Sequence, residues 1–214
     1  MGKQSNNRGP TVYVIDDDAP VRDSLRLLLE SLGKNVETFA SAQEFLDQSN
    51  EVCCGCLVLD IRMPGIDGME LQDILNGRGL YLPIIFITGH GEVPTAVTAM
   101  RKGAFDFIQK PFVNQDLIGR IDAALEFDDK NRELNQKQKS IEQCLASLTE
   151  RELEVLRFIT EGKSNKSIAL ELHVSQRTVE AHRAHIMEKM QAKSLPHLVR
   201  MAMTIETMQW PQNN

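Results

Sequence analysis

Short apolar runs alternate with segments of helical periodicity through the first 126 residues of the chain. Each run has the length of a buried strand, and each intervening segment repeats its apolar residues every three or four positions. Five strands alternating with five helices predict an α/β fold with a doubly wound five-stranded parallel sheet. The predicted strands are Thr11–Ile15, Asn35–Phe39, Leu57–Leu59, Ile84–Ile87 and Phe105–Ile108. The predicted helices are Pro20–Leu32, Ser41–Asp47, Met69–Asn76, Glu92–Lys102 and Asn114–Glu126. The first of these helices has an apolar face made of Val21, Leu25, Leu28, Leu29 and Leu32.

After this α/β domain, residues 11–126, the pattern becomes helical throughout. Residues 127–147 contain neither proline nor glycine and are rich in charge. Leu134, Ile141, Leu145 and the following Leu148 are spaced by seven, four and three positions. This spacing predicts one continuous linker helix with a thin apolar stripe. A second domain is predicted over residues 148–206. The polar ends, residues 1–10 and 207–214, are expected to be tails.

The second domain is predicted to be an all-α bundle of four short helices. Thr149 and Glu152 form a capping box at the start of the first helix, in which each side chain satisfies a free backbone amide. A second helix is predicted over Asn165–Leu172, a third after Ser175 to about Met190, and a fourth after Ser194. The second and third helices are joined by two residues, the tight connection of a helix-turn-helix.

Polar residues of three kinds follow the predicted strands of the first domain. The carboxyl ends of parallel strands meet at one edge of a sheet, so these side chains are expected to converge. Three close carboxylates repel one another by about 4 kcal/mol per pair at roughly 4 Å and a dielectric constant of about 20. An oxygen-only site of this kind suits Mg²⁺ or Mn²⁺, and one carboxylate, Asp60 at the end of the middle strand, is the candidate nucleophile for phosphate chemistry. The converging residues are Asp16, Asp17, Asp18, Asp60, Thr88 and Lys110.

Charge is divided unevenly between the two parts of the chain. The 214 residues carry a net charge of -6, with 42% hydrophobic and 25% charged residues, which is typical of a globular protein. Residues 1–147 carry 15 Lys and Arg against 22 Asp and Glu, a net of -7, whereas residues 148–214 carry 9 against 8, a net of +1. A nucleic-acid surface is therefore expected only in the second part. No apolar stretch reaches the roughly 20 residues of a membrane span, and the polar start lacks a signal segment, so a cytoplasmic protein without a membrane partner is expected.

The strand-end residues and their neighbours resemble the receiver domain of bacterial two-component response regulators. The similarity covers about residues 10–126. It implies a flavodoxin-like fold with strand order 2-1-3-4-5, in which Asp60 accepts a phosphoryl group from a sensor histidine kinase. It also implies that the Mg²⁺ ion is held by Asp16, Asp17, Asp60 and the backbone carbonyl of Arg62, with Asp16 acting partly through water. Asp18 matches no required position. The matching segments are Asp16-Asp17, Asp60, Met63-Pro-Gly-Ile-Asp-Gly68, Thr88-Gly89-His90 and Lys110-Pro111-Phe112.

The same resemblance implies what happens after phosphorylation. Thr88 and Lys110 would contact the new phosphoryl oxygens, and Thr88 and Phe107 would move together as a switch. The alternative for Phe107, which alternates with Phe105 along its strand, is an ordinary core ring. The resemblance implies a protein that is not an enzyme, beyond its own Mg²⁺-dependent phosphorylation and dephosphorylation at Asp60.

The helical domain resembles the DNA-binding domain of the NarL/LuxR type. The similarity covers about residues 148–206 and is carried by Leu148–Leu156, Gly162–Ala169 and Ser175–Arg183. With Thr88-Gly89-His90, the whole chain is most similar to the FixJ-type subgroup. The resemblance implies a regulator that forms a homodimer on activation, through a last helix at about Ser194–Met203, and binds promoter DNA. RNA polymerase is a further implied partner, and activation of transcription is favoured over repression.

The third helix of this domain is predicted to have one buried and one exposed face. Val179, Ile186 and Met190 share the inward stripe. The opposite face suits the DNA major groove, where Gln and Arg read adenine or guanine, Glu accepts from cytosine and Ala contacts the thymine methyl group. The candidate base contacts are Gln176, Arg177, Glu180 and Ala181. The candidate phosphate contacts are Lys166, Thr178, His182, Arg183 and Lys189.

Two other functions were weighed against a phosphorylation-activated transcription regulator. An aspartyl-phosphate phosphatase of the haloacid dehalogenase type needs a second Asp two residues after the nucleophile, where this chain has Arg62. A ligand-sensing regulator with the same DNA-binding domain would need an apolar small-molecule pocket in place of the Asp, Thr and Lys cluster. Both alternatives are disfavoured by the residues that follow the strands.

Overall fold

The sheet has the predicted order. The computed structural model describes residues 9–48, 54–89 and 93–206. Within them, parallel strands form one sheet in the order β2-β1-β3-β4-β5, which confirms the fold class predicted from the sequence. Thr11 lies opposite Asn35 on one side and Gly55 on the other. The strands are β1 (Thr11–Ile15), β2 (Asn35–Phe39), β3 (Gly55–Asp60), β4 (Ile84–Thr88) and β5 (Asp106–Gln109).

The helices follow the predicted segments closely. Those of the α/β part are α1 (Ala19–Ser31), α2 (Ala42–Gln48), α3 (Gly68–Gly77), α4 (Val93–Arg101) and α5 (Asn114–Ala146). The remaining helices are α6 (Glu150–Thr160), α7 (Asn165–Glu171), α8 (Gln176–Lys189) and α9 (Leu195–Glu206). Glu92, the predicted start of the fourth helix, and His90 lie outside the described residues. Within the described parts of the chain, no helix is both long and apolar enough to cross a membrane.

Leu32 was wrongly placed on the apolar face of the first helix. Its side chain is 51% exposed, whereas Leu25 and Leu29 on the same helix are buried. The reason is that α1 ends at Ser31, and the backbone N–H of Leu32 donates to the carbonyl of Leu29 at 3.1 Å to close the last turn. Gly33 then adopts a φ of 74°, so the leucine leaves the helical periodicity on which the prediction depended.

The alternation of side chains along the strands builds a separate apolar layer on each face of the sheet. Tyr13, Leu57 and Phe86 point to one face, where they pack with residues of α2 and α3. Val14, Val58 and Ile85 point to the other face and pack with α1 and α5. Because both faces are covered, the inner strands β1, β3 and β4 are buried along their whole length, and the polar residues that follow or end them lie at one edge of the sheet.

The predicted linker helix and the last helix of the α/β domain are one helix. Helix α5 runs without interruption from Asn114 to Ala146. Its first turns bury Leu117 and Ile121 in the α/β core, and near its end Ile141 packs with the helical domain's own core. The chain divides into two compact units within this helix, the first ending at Arg132 and the second beginning at Glu133.

A buried acid fixes α5 to the start of the central strand. Asp128 is only 4% exposed, and its Oδ2 accepts a hydrogen bond of 2.9 Å from the backbone N–H of Gly55. Burial raises the pKa of Asp128, and the hydrogen bond from Gly55 lowers it only in part. The carboxylate supplies the acceptor that this buried strand-end amide requires.

We expect opposite effects from two substitutions at this position. Asp128→Leu removes the acceptor and should lower the free energy of unfolding by about 1–3 kcal/mol. Asp128→Asn retains an oxygen acceptor without the buried charge, so at pH 7 it should be at least as stable as the wild type. Because the pKa is raised in the folded state, the wild type should gain stability relative to Asp128→Asn as the pH falls toward the ordinary value of 3.8. Urea unfolding between pH 3.5 and 7.5 measures both effects, and a larger loss for Asp128→Asn than for Asp128→Leu would contradict them.

Candidate functional site

The side chain of Lys110 joins two carboxylates that come from different strands. Its Nζ donates to Oδ2 of Asp16 at 2.7 Å and to Oδ1 of Asp60 at 2.8 Å. Asp16 follows β1 and is 1% exposed, while Asp60 ends β3 and is 6% exposed. The backbone N–H of Lys110 also donates to the carbonyl of Thr88 at 2.7 Å. The structure therefore brings together residues that the sequence places up to 94 positions apart.

The local backbone explains how these residues meet. Strands β1, β3 and β4 are paired in parallel and in register, so Ile15, Asp60 and Thr88 end at the same edge of the sheet. The following strand delivers Lys110 to that edge, and the peptide bond between Lys110 and Pro111 is cis. Converging strand ends are the usual place for a ligand site in a parallel α/β sheet.

The pKa values of Asp60 and Lys110 are both raised in this cluster, for different reasons. Burial raises the pKa of Asp60; the contact with Lys110 opposes this and the charge of Asp16 adds to it, so that the pKa stays above its usual value. Burial would lower the pKa of Lys110, but its hydrogen bonds to Asp16 and Asp60 outweigh that effect and raise it. Lys110 is therefore held in its charged form against two acids.

An open cleft of about 590 Å³ lies beside this cluster. Asp17 and Arg62 line it, together with Asp67 and Thr95, and both Asp17 and Arg62 are exposed. The backbone N–H of Arg62 donates to Oδ2 of Asp60 at 2.7 Å, which ties the cleft wall to the acid at the end of β3. Two of the predicted metal ligands thus face the cleft and two lie in the adjacent cluster.

The remaining predicted residues of this site are placed as follows. Thr88 is 1% exposed at the end of β4. Phe107 is half-buried and packs against the apolar layer that contains Phe86, so the structure leaves both the switch and the core-ring interpretations open. Asp18 is exposed just before α1, and only its backbone N–H contacts the cluster, by donating to Oδ1 of Asp16 at 2.9 Å.

Two features of the site had no signal in the sequence pattern. The guanidinium of Arg22, in the first turn of α1, donates to the backbone carbonyl of Asp16 at 2.6 Å. Gly68 begins α3 against the end of β3, where an added Cβ would lie 2.3 Å from the carbonyl oxygen of Asp60. Neither an arginine bond to a particular backbone carbonyl nor a close backbone approach follows from periodicity.

The helical unit presents the predicted polar face. Ser175 caps α8 by accepting from the backbone N–H of Thr178. Val179, Ile186 and Met190 are completely buried, which confirms the predicted inward stripe. Five candidate DNA contacts are exposed. One lies on α7, Lys166, and four lie on α8: Gln176, Arg177, Glu180 and Ala181. Three others are half-buried: Thr178, His182 and Arg183.

Lys189 is engaged within the protein. Its Nζ donates to Oε2 of Glu152 at 2.7 Å, and Glu152 is 3% exposed. The same carboxylate accepts from the backbone N–H of Thr149 at 2.8 Å, as the predicted capping box requires. Lys189 thus links the end of α8 to the start of α6 and neutralises a buried acid, a role that the spacing of charges in the sequence did not reveal.

This ion pair predicts a stability loss in acid. Burial would raise the pKa of Glu152, but its hydrogen bonds to Lys189 and Thr149 reverse this and lower it from 4.5 to about 2. Because the folded-state pKa is depressed, the stabilisation is complete above pH 4.5 and is lost as the pH falls toward 2. Glu152→Gln should cost about 1.5–3 kcal/mol at pH 7 and should show a smaller loss between pH 4.5 and 2. Urea unfolding followed by circular dichroism measures this, and identical pH profiles for both proteins would refute it.

Comparisons with known proteins agree with this geometry. Residues 12–122 match the response regulator receiver domain, and residues 146–202 match the bacterial regulatory proteins of the luxR family. The chain is 46% identical over 207 residues to the transcriptional regulatory protein TdiR of Thauera aromatica, covering 95% of this chain and 89% of that protein. It is 46% identical over 192 residues to the transcriptional regulatory protein FixJ of Azorhizobium caulinodans, covering 90% and 91%.

The fold has the same relatives. The structure of the response regulator StyR superimposes with a TM-score of 0.85 at 44% sequence identity, covering 92% of this chain and all of the other. The receiver match places the converging strand ends in one domain, and the luxR-type match places α8 in the other. The chain therefore belongs to the FixJ-type two-component response regulators, transcription regulators that combine a receiver domain with a LuxR-type helix-turn-helix domain.

Proposed function

We propose that this response regulator accepts a phosphoryl group on Asp60 from a sensor histidine kinase and, once phosphorylated, dimerises on promoter DNA to activate transcription. The observation that carries the proposal is the position of Lys110 between Asp16 and Asp60. An ammonium held 2.8 Å from the carboxylate of Asp60 is placed to contact an anionic group added to that carboxylate.

The transfer itself needs little from the protein beyond position and charge. An oxygen of Asp60 attacks the phosphorus, the bond from phosphorus to the kinase histidine breaks, and its electron pair returns to the imidazole. Burial raises the pKa of Asp60, which makes its carboxylate more basic than a solvated one. Lys110 stays charged beside it and offsets the negative charge that the phosphoryl group brings.

The residues of the site fit a divalent cation, which we propose to be Mg²⁺ or Mn²⁺. Asp16 and Asp60 both accept hydrogen bonds from the ammonium of Lys110. Asp17 and Arg62 line the neighbouring cleft. These groups offer oxygen donors alone, including the carbonyl of Arg62, which is what these ions prefer. The described residues contain no ready-made group of three acidic, His or Cys ligands, so backbone and water oxygens would complete the set. When bound, the ion would supply charge neutralisation at the phosphoryl oxygens.

We further propose that Thr88 and Phe107 respond to the phosphoryl group. Thr88 is buried one strand from Asp60 and pairs in register with the residue before Lys110. Phe107 is only half-buried, so its ring has a partly open side into which it can turn. A change at these two positions would alter the half-buried edge strand β5, beside which a second copy could then bind.

DNA binding is proposed for the exposed face of α8 and its flanks. Base contacts are assigned to Gln176, Arg177, Glu180 and Ala181, and phosphate contacts to Lys166, Thr178, His182 and Arg183. We leave Lys189 out of the proposed contacts, because its ammonium already donates to Glu152. A net charge of +1 on residues 148–214 gives a single copy weak attraction for DNA, and two copies would double the phosphate contacts. Recruitment of RNA polymerase would follow from DNA-bound dimers.

The test is recovery of genomic DNA by the full chain with and without acetyl phosphate and Mg²⁺. We expect fragments with paired half-sites about one helical turn apart, roughly 10 base pairs, to be enriched when the phosphodonor is present. Mass photometry of the same samples should show the accompanying dimer. Equal recovery with and without the donor, from protein that is demonstrably phosphorylated, would contradict the proposed activation and leave DNA binding itself intact.

A further inference from the structure

Asp16 is held by a complete set of hydrogen bonds. Its backbone N–H donates to the carbonyl of Phe39 at 3.3 Å. Its Oδ1 accepts from the backbone N–H of Asp18 at 2.9 Å, and its Oδ2 accepts from Lys110 at 2.7 Å. The fourth polar group, the backbone carbonyl, accepts from Nη1 of Arg22 at 2.6 Å. Phe39 and Asp18 contribute backbone groups, and Lys110 belongs to the reactive cluster. Arg22 alone among these four partners uses a side chain with no assigned part in the chemistry.

The choice of acceptor by Arg22 is unusual. Three carboxylates follow β1, and a guanidinium beside them would ordinarily form a bidentate ion pair with one of them. Instead Arg22 donates to a backbone carbonyl, and in the described residues it forms no ion pair with Asp17 or Asp18. The side chain is half-buried against the start of α1, so it is held in place and does not sample many orientations in solvent.

The carbonyl that accepts from Arg22 lies directly before Asp17. The carbonyl of Asp16 belongs to the peptide group that joins Asp16 to Asp17, and that group is planar and rigid. Fixing its oxygen therefore fixes the direction in which the chain leaves for Asp17. Asp17 is exposed and is among the residues that line the cleft, while the arginine donates to the carbonyl that precedes it.

We propose that Arg22 is a positioning residue for the divalent cation: it orients the Asp16–Asp17 peptide so that the carboxylate of Asp17 faces the cleft as a ligand. This assignment rests on the proposed function of the site. The guanidinium also lowers the mutual repulsion of the nearby acids, but its hydrogen bond to the carbonyl is the part that a remote charge could not replace.

Metal binding tests the role directly, without a phosphodonor. Free Mn²⁺ is measured by electron paramagnetic resonance as the full chain is titrated. Arg22→Ala should weaken Mn²⁺ binding by about tenfold, the equivalent of one lost hydrogen bond to a charged group. Arg26→Ala is the matched control, because Arg26 lies one turn further along α1, is exposed and pairs with Asp23 at 3.0 Å. It should change binding by less than about twofold. Arg22→Lys, which retains a donor, should recover part of the loss.

A second readout separates positioning from a general loss of structure. The Mg²⁺ concentration for half-maximal labelling by acetyl phosphate should rise about tenfold in Arg22→Ala, while the rate at saturating Mg²⁺ stays within about twofold. Unchanged Mn²⁺ affinity in folded Arg22→Ala, or an equal loss in Arg26→Ala, overturns the proposal. If Arg22→Ala does not fold, Arg22→Lys decides in its place, since wild-type affinity together with a changed maximal rate would exclude positioning. Failure of the wild type to be labelled would instead overturn the proposed function, and the Mn²⁺ titration distinguishes the two.

Discussion

Replacing Asp60 by Asn is expected to abolish labelling of this protein by acetyl phosphate in the presence of Mg²⁺. The amide has the size of the carboxylate and can still accept a hydrogen bond from Lys110, now 2.8 Å from Oδ1 of Asp60. It lacks the anionic oxygen that attacks phosphorus. The loss should therefore be complete, with the fold retained, as judged by retardation in Phos-tag gels and by thermal unfolding.

Asp18→Asn is the matched control for this experiment. It makes the same chemical change in the same acidic region, but Asp18 is exposed and contacts the cluster only through its backbone N–H. Its labelling should stay within about twofold of the wild type. Equal retardation of the wild type and Asp60→Asn would show that the phosphoryl group is attached elsewhere, and it would remove the basis for the proposed activation.

The converging strand ends could be predicted from the sequence because parallel strands impose a common direction. Two apolar runs end on Asp60 and Thr88, and Lys110 follows the last run. Because the strands of a doubly wound sheet are parallel, their carboxyl ends bring these three side chains to the same edge. The strand order and the helix-turn-helix are likewise confirmed by the structure. The strands and helices themselves followed from periodicity and capping, which depend only on neighbours along the chain, whereas the strand order followed from the resemblance to receiver domains.

Contacts between distant positions could not be predicted in this way. Lys189 was predicted to contact DNA phosphate, but its ammonium holds the buried Glu152. Asp128, for which the sequence predicted no role, accepts from Gly55, 73 residues away. Leu32 matched the apolar period of a helix that had already ended. Side-chain pairing across elements and the last residue of a helix depend on tertiary packing, which a single sequence does not display.

The longest helix shows why domain boundaries are harder to predict than domains. Charge density rises after Glu126, so the sequence indicates a new segment there, yet α5 continues to Ala146 without a break. Asp128 still contacts the α/β unit, and the division between the two units falls after Arg132. The composition therefore changes at least one helical turn before the last contacts of α5 with the α/β core.

Replacing Arg177 by Ala is expected to weaken binding to a promoter recovered with this protein by about 1–3 kcal/mol, or roughly 5- to 150-fold. Arg177 is exposed in the first turn of α8, the part of a recognition helix that enters the major groove. Fluorescence anisotropy with the phosphorylated full chain measures the loss. Arg101→Ala removes the same side chain from the exposed end of α4 in the other unit and should change affinity by less than about twofold.

Salt dependence then distinguishes base reading from phosphate binding. Arg183→Ala, at a proposed phosphate contact, should weaken all DNA sequences about equally and reduce the slope of log affinity against log salt by about 1. Arg177→Ala should leave that slope nearly unchanged and instead reduce the preference for the recovered sequence over a variant with one base pair exchanged. If Arg177→Ala lowers the slope and keeps the preference, Arg177 contacts phosphate and the proposed reading face of α8 must be rotated toward Gln176 and Glu180.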